Sequence, residues 1–377
     1  MSRSSRSSRS FRFVLGFLGV LALGSPDTLA AQVTGSAGAG MTFQHFGFSD
    51  GAAIGIESVQ LITVPLAARV DLGGGFAVDV NSAWARGALA RAGGDDITLA
   101  GVTDTRVSLG WSLPGDRFTV AVLGVVPSGA TSFSAAEAQL AGVVAADLLP
   151  FRVSHWGSGG GAGGATTVIH TSGSWGFAGA ASFLVPGSYE PVVDPEFEYR
   201  PGLHFSLQGA LDRRVGASST ASLSLAYHHH AEDALDGENI FRPGDRVQAL
   251  ASMAFPVGTG GSAITYGGYL HRTQGTFLQD LDPRSSQGFI LLGAGLRQPT
   301  SFGTLVPSTD LRLVRREDGV DQGWLLGAGA SLEHRAGNVN LTPTLMGRVG
   351  SVRAREGVST GVTGIEVGVR VGFGGGR

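Results

Sequence analysis

From about residue 41 onward the chain is built of short stretches in which apolar residues alternate with small or polar ones. In the last stretch Ile365, Val367, Val369, Val371 and Phe373 fall on one side, and Gly364, Glu366, Gly368, Arg370 and Gly372 on the other. Upstream, Leu341, Pro343, Leu345 and Val349 oppose Asn340, Thr342, Thr344, Met346 and Arg348. Trp324, Leu326, Ala328, Ala330 and Leu332 likewise oppose Gly327, Gly329, Ser331 and Glu333. A period of two is the mark of a strand whose two faces meet different surroundings. Comparable stretches recur near 75–86, 103–113, 199–211, 218–229, 244–256, 261–272 and 287–297. They run about ten to fourteen residues, where strands of soluble domains usually run five or six.

The connections alternate too. Tight links fall at Gly73-Gly74, Pro114-Gly115, Ser172-Gly173, Arg213–Ala217, Val257–Gly261, Pro299–Phe302 and Ala336-Gly337. Between them lie longer links near 49–56, 87–100, 128–163, 186–198, 231–243, 273–286, 316–320 and 354–360. Short turns at one end and long loops at the other predict a transmembrane, antiparallel, up-and-down β-barrel. The count is about sixteen strands, with fourteen next. No stretch of around 18 uninterrupted apolar residues occurs that would serve as a spanning helix. In lipid, only helices and closed sheets pair every backbone group. Trp84, Trp111, Tyr227, Tyr266 and Phe373 are candidates for the interfacial aromatic girdles.

Residues 1–12 carry Arg3, Arg6, Arg9 and Arg12 and no acid, Phe13 to Leu23 is apolar, and small residues lead to Ala30-Ala31. That order predicts a secretory signal peptide over 1–31, with the barrel in 32–377 and the bacterial outer membrane as the destination. The whole chain has 27 basic and 30 acidic residues; beyond residue 31 the numbers are 23 and 29, a net of −6. Nucleic-acid binding, which needs a basic face, is not expected. The chain has no cysteine, which removes thiol, disulfide and zinc-thiolate chemistry. All its basic residues are arginine, so P-loop and Schiff-base lysines are excluded. His228-His229-His230 invites a metal reading, but neighbours on a strand point to opposite faces and cannot share one ion. No metal, cofactor or catalytic set is expected, although a dispersed hydrolase set involving His155 or His228 has no motif to exclude it.

Parity places Arg69, Asp79, Arg106, Asp310, Arg312, Glu333, Arg348, Glu366 and Arg370 on the lumen face, either bracing the interior or tuning solute selectivity. One segment breaks the alternation. Ser134 and Glu137 form a capping-box pattern, and Leu140, Val143, Val144 and Leu148 recur at helical spacing. The long loop 128–163 is therefore expected to carry a short helix on the extracellular side. That helix would either cover the barrel mouth or, with His155 and Trp156, meet an incoming ligand.

The stretch Gly101-Val-Thr-Asp-Thr-Arg-Val-Ser-Leu-Gly-Trp-Ser-Leu113 resembles a strand of the FadL-like long-chain fatty acid transporters and the related phenol-degradation meta-pathway outer-membrane proteins. Thr103 stands where that pattern has its second glycine, while Asp104 and Thr105 are kept. Pro127-Ser128-Gly129, Trp156-Gly157-Ser158-Gly159 and Tyr199-Arg200-Pro201-Gly202 match later landmarks. The resemblance implies passive passage of small hydrophobic molecules, fatty acids or aromatics, with outer-membrane lipid and the barrel-assembly machinery as partners. The family's N-terminal plug has no counterpart, and Phe373 is followed by Gly-Gly-Gly-Arg rather than ending the chain. A barrel with a filled lumen and a structural or surface-binding role is the other expectation.

Overall fold

The computed structural model describes residues 34–374 apart from 114, 116, 194–196, 217, 279, 282–284, 317–321 and 356; the expected signal peptide lies outside these residues. Sixteen strands follow one another: β1 Thr34–Phe48, β2 Ile56–Gly73, β3 Phe76–Arg91, β4 in two pieces (Ile97–Val102 and Thr105–Ser112), β5 Phe118–Val126, β6 Gly161–Ser172, β7 Trp175–Pro186 and β8 His204–Val215. The second half holds β9 Ser219–His230, β10 Arg246–Val257, β11 Gly261–Arg272, β12 Gln287–Thr300, β13 Gly303–Arg316, β14 Gln322–Ala336, β15 Val339–Arg355 and β16 Val358–Gly374. Each pairs antiparallel with the next, and β16 returns to β1 with Gln44 opposite Glu366 and Phe43 opposite Val367. The sheet is closed, so it presents no edge along the ring and every ladder has a partner. Among the described residues no helix is long and apolar enough to cross a membrane.

The two faces sort as period two requires. Met41, Leu109, Val122, Phe177, Leu225, Leu345 and Val367 stand exposed on the outside. Gln44, Asp310, Arg348 and Glu366 are buried on the inside. An apolar band of this kind is stable against hydrocarbon and would be costly in water. Aromatic residues mark both rims. At the short-turn end Phe76 stacks on Trp111 at 5.9 Å, and the Arg213 guanidinium lies 4.7 Å from the Trp175 ring centre. Tyr227, Tyr269 and Trp324 stand exposed nearer the long-loop end. Tyr266, expected in a girdle, instead points inward: it pairs with Ser252 and Gly293 on the inner row, and its ring occupies the space that the missing side chain of Gly293 leaves.

Two expected long links shrink because the strands beside them extend. The 87–100 link reduces to residues between Arg91 and Ile97, and the 354–360 link to the residues between Arg355 and Val358. The wall is uneven as a result. Strands β6–β11 have 12 residues each, whereas β2 has 18 and β15 and β16 have 17. Above the low wall the loops build a small second sheet from Tyr199–Arg200, Asp233–Leu235, Glu238–Arg242, Thr276–Phe277 and Asp280–Leu281. Gly51–Ile54 forms one helical turn, α1, in the β1–β2 loop.

Candidate functional site

The longest connection, between β5 and β6, starts and ends at a carboxylate. β4 is interrupted at Thr103–Asp104, and the buried Asp104 side chain accepts hydrogen bonds from the Gly129 amide (3.1 Å), the Ser158 amide (2.7 Å) and the Ser158 hydroxyl (2.6 Å). The Asp104 amide donates to the Trp156 carbonyl at 3.0 Å, and the Ser128 hydroxyl donates to the Thr103 carbonyl at 3.0 Å. Gly129 has no substitute here: a Cβ would stand 2.0 Å from the Trp156 carbonyl oxygen. The Asp-Thr, Pro-Ser-Gly and Trp-Gly-Ser landmarks, separate in sequence, are thus one clamp that holds the loop by its two ends. A carboxylate fits because it is an acceptor with several lone pairs, and bonds to a charged acceptor are about twice as strong as neutral ones.

Between these ends the chain turns into the barrel. The helix expected from the capping box is α2, Ala135–Val144, with the Ser134 side chain accepting from the Glu137 amide and Glu137 accepting from the Ser134 amide. It does not cap the mouth. Leu140, Val144, Leu148 and Trp156 are buried against Phe46, Val59, Leu61, Ala85, Leu89 and Leu99 on the inner face of β1–β4, and Val143 packs at the margin. The helical spacing signalled a buried face correctly; the surface it meets is the inner wall, which is apolar in this sector. Trp156 is 1 % exposed, lies over Gly87 and donates its indole N–H to the Ala85 carbonyl. Burying one such aromatic stabilises the docked loop by roughly 4–6 kcal/mol as an upper bound. Of the apolar residues expected at a ligand entry, Leu140, Leu148 and Trp156 are taken up in this packing, Val143 is half-buried, and Val144 also borders the gap described next.

The loop's return path is polar. Gln44 donates to the Pro150 carbonyl (2.7 Å) and to Glu366 (3.1 Å), and accepts from the Arg152 amide (3.0 Å). The Arg152 guanidinium pairs with Glu366. Facing them, Arg348 donates from one nitrogen to both oxygens of Asp310 (2.9 and 2.8 Å), with Arg312 3.4 Å from the same carboxylate and 5.9 Å from the Phe289 ring centre. A cavity of about 410 Å³ remains between loop and wall, lined by Asp147 and Arg152 from the loop and by Arg312, Arg348 and Glu366 from β13, β15 and β16.

All nine expected lumen charges lie on the inner row, but only four, Asp310, Arg312, Arg348 and Glu366, gather at this gap. Arg69 pairs with Asp79 (3.2 Å) and Asp71 (3.1 Å) toward the short turns, and Glu333 pairs with Arg297 (2.8 Å). Arg106 and Arg370 carry no ion pair among the described residues. His155 is exposed to the lumen, with the loop and wall around it. That enclosure, and then the charge of Arg106, lowers its pKa against a smaller opposing pull from Asp104. Alternation could not reveal Gln44, Asp147 or Arg152 as site residues, since their roles depend on where the loop goes. Among the described residues, no group of three His, Cys, Asp or Glu has metal-binding geometry.

A closed antiparallel barrel, apolar outside, polar within and narrowed by its own inward-folded loop, has the architecture of membrane-spanning β-barrels. No family model and no curated protein matches the chain. Among solved structures it is similar to Pseudomonas putida OprB at 8% identity, TM-score 0.48, covering 99% of this chain and 100% of that one. It is also similar to a triple mutant of the Rhodopseudomonas blastica porin at 16% identity, TM-score 0.39, covering 91% and 99%.

Proposed function

We propose that the chain is a diffusion channel of the bacterial outer membrane, in which residues 127–160 set the narrowest passage. The observation that carries this reading is the gap between loop and wall. A lumen filled for structural purposes would be packed there, whereas Asp147, Arg152, Arg312, Arg348 and Glu366 line open space. Rings of charge at a constriction select solutes by size and sign. Passage is driven by the solute's own gradient.

The sequence resemblance implies hydrophobic solutes. The disposition of the loop favours small polar ones instead, because Leu140, Leu148 and Trp156 are packed against the wall and five charged side chains line the gap, with Val144 and Leu149 beside them. Liposome swelling with the refolded mature chain tests both. Permeation by sugars and amino acids, with faster permeation once residues 135–149 are replaced by a short Gly/Ser linker, is the expected result. Uptake confined to fatty acids or apolar aromatics would restore the hydrophobic reading, and an impermeable barrel would overturn the channel.

A further inference from the structure

Charge is distributed unevenly around the lumen. Asp71, Asp79, Asp310, Glu333 and Glu366 stand on β2, β3, β13, β14 and β16, and each is held by arginine or glutamine. On the inner faces of β6–β11 the described residues include one acid, Asp212, eight residues along β8 from His204, or roughly 26 Å. The upper part of that wall is basic. Register sets Ser206, His228, Arg246 and Arg272 side by side across β8–β11, and sets His204 beside His230. The His204 and His230 rings stack at 4.4 Å and 5°, and His228 lies 5.7 Å from His204. The buried Nε2 of His204 has no hydrogen-bond partner.

The neighbouring acids are engaged elsewhere. Asp245 turns outward to His229 (2.9 Å) and Tyr227 (2.8 Å). Asp233 is taken by Tyr199 and the Gly202 amide, and Asp104 by the loop clamp. Across the space, Arg106 on β4 lies near enough for its charge to act on both His204 and His155. Arg106 and Arg246 are exposed to the lumen and have no carboxylate partner among the described residues. A metal does not suit the three imidazoles, because stacked rings aim their nitrogens in parallel planes rather than at one point.

We propose that His204, His228, His230 and Arg246, with Arg106 opposite, form an anion-binding subsite that takes the carboxylate of a small organic acid on its way through the channel. Guanidinium groups supply charge in a geometry that matches a carboxylate. Imidazole N–H groups supply directional donors, and the orphaned His204 nitrogen acquires a partner when the anion arrives. Arg246 and Arg106, exposed in a low-dielectric lumen without a carboxylate partner among the described residues, also concentrate anions ahead of binding. The inference rests on the channel reading for transit, but binding can be measured without transit.

The test has two readouts. In planar bilayers the wild type should pass anions in preference to cations, and the Arg106→Gln/Arg246→Gln double variant should lower the anion-to-cation permeability ratio about threefold to tenfold. Arg213→Gln, on the outer rim, should leave the ratio unchanged. In detergent, benzoate should shift the histidine side-chain ¹⁵N resonances of His204, His228 and His230, whereas uncharged benzamide should not. Equal shifts with both probes, or none with benzoate, would overturn the subsite even if the barrel conducts. A barrel that binds benzoate but does not conduct would overturn the channel and leave the subsite standing.

Discussion

Removing the Asp104 carboxylate should release the inward loop while the barrel stays closed. In Asp104→Ala the three donors now satisfied by this side chain, the Gly129 and Ser158 amides and the Ser158 hydroxyl, lose their acceptor at a buried position. A hydrogen bond to a charged group contributes about 1.5–3 kcal/mol, and three that share one acceptor do not add fully, so the loss is about 3–5 kcal/mol. Every 1.4 kcal/mol is tenfold, so the undocked loop should become about a hundred- to four-thousandfold more populated. The β-ladder does not depend on this side chain, since the Thr105–Ser112 piece pairs with both β3 and β5. Limited proteolysis with thermolysin reads the effect, because Leu148, Leu149 and Phe151 offer cut sites only when the loop leaves the wall. Cleavage there should accelerate by that factor while the heat-resistant migration of the folded barrel persists. Asp104→Asn, which keeps an acceptor but loses the charge, should fall between. An unchanged cleavage rate in Asp104→Ala would refute the clamp and leave wall packing alone as the reason the loop docks.

Three further outcomes follow from the same geometry. Arg348→Met should destabilise the barrel by about 1.5–3 kcal/mol in a urea titration, because it leaves the buried Asp310 only the longer contact to Arg312, and adding Asp310→Asn should recover part of the loss. Gly293→Ala should lower single-channel conductance, because a Cβ there would stand 2.2 Å from the Tyr266 ring and force it further into the lumen. His155, whose folded-state pKa is lowered chiefly by the partial desolvation that the surrounding loop and wall impose, binds a proton more readily when the loop is free. Loop protection should therefore be complete above the ordinary histidine pKa of about 6.5 and weaken as pH falls below it, measured by the same thermolysin assay, and His155→Gln should flatten that dependence.

The inner row was legible because period two admits no exceptions within a regular strand: once Ile365 faces lipid, Glu366 and Arg370 must face in. The strand number was legible because the turn chemistry changes every second connection. The destination of the loop was not. Leu140, Val143, Val144 and Leu148 announce a buried face, but nothing local says whether the covering surface is a mouth, a partner or the inner wall. Tyr266 was misplaced because an aromatic near a strand end fits a girdle as well as a lumen, and only the facing Gly293 on the next strand decides. The histidine cluster needed register as well. His228 and His230 share a face by spacing, yet their third member, His204, comes from the neighbouring strand, and no feature of residues 228–230 points to it.

The hydrogen bonds of Gln44 carry a meaning for assembly. Gln44 and Glu366 are 322 positions apart and face each other where the first strand meets the last. Pro150 and Arg152 grip that pair from the middle of the chain. The grip exists only when the ring is complete, so while the helix and the Asp104 clamp can dock on β1–β4 alone, the Gln44–Glu366–Arg152 contacts must wait for the C-terminal strand. Contacts of such separation form late. The same staple then spans the seam from within, so that parting β1 from β16 first requires prising the loop away.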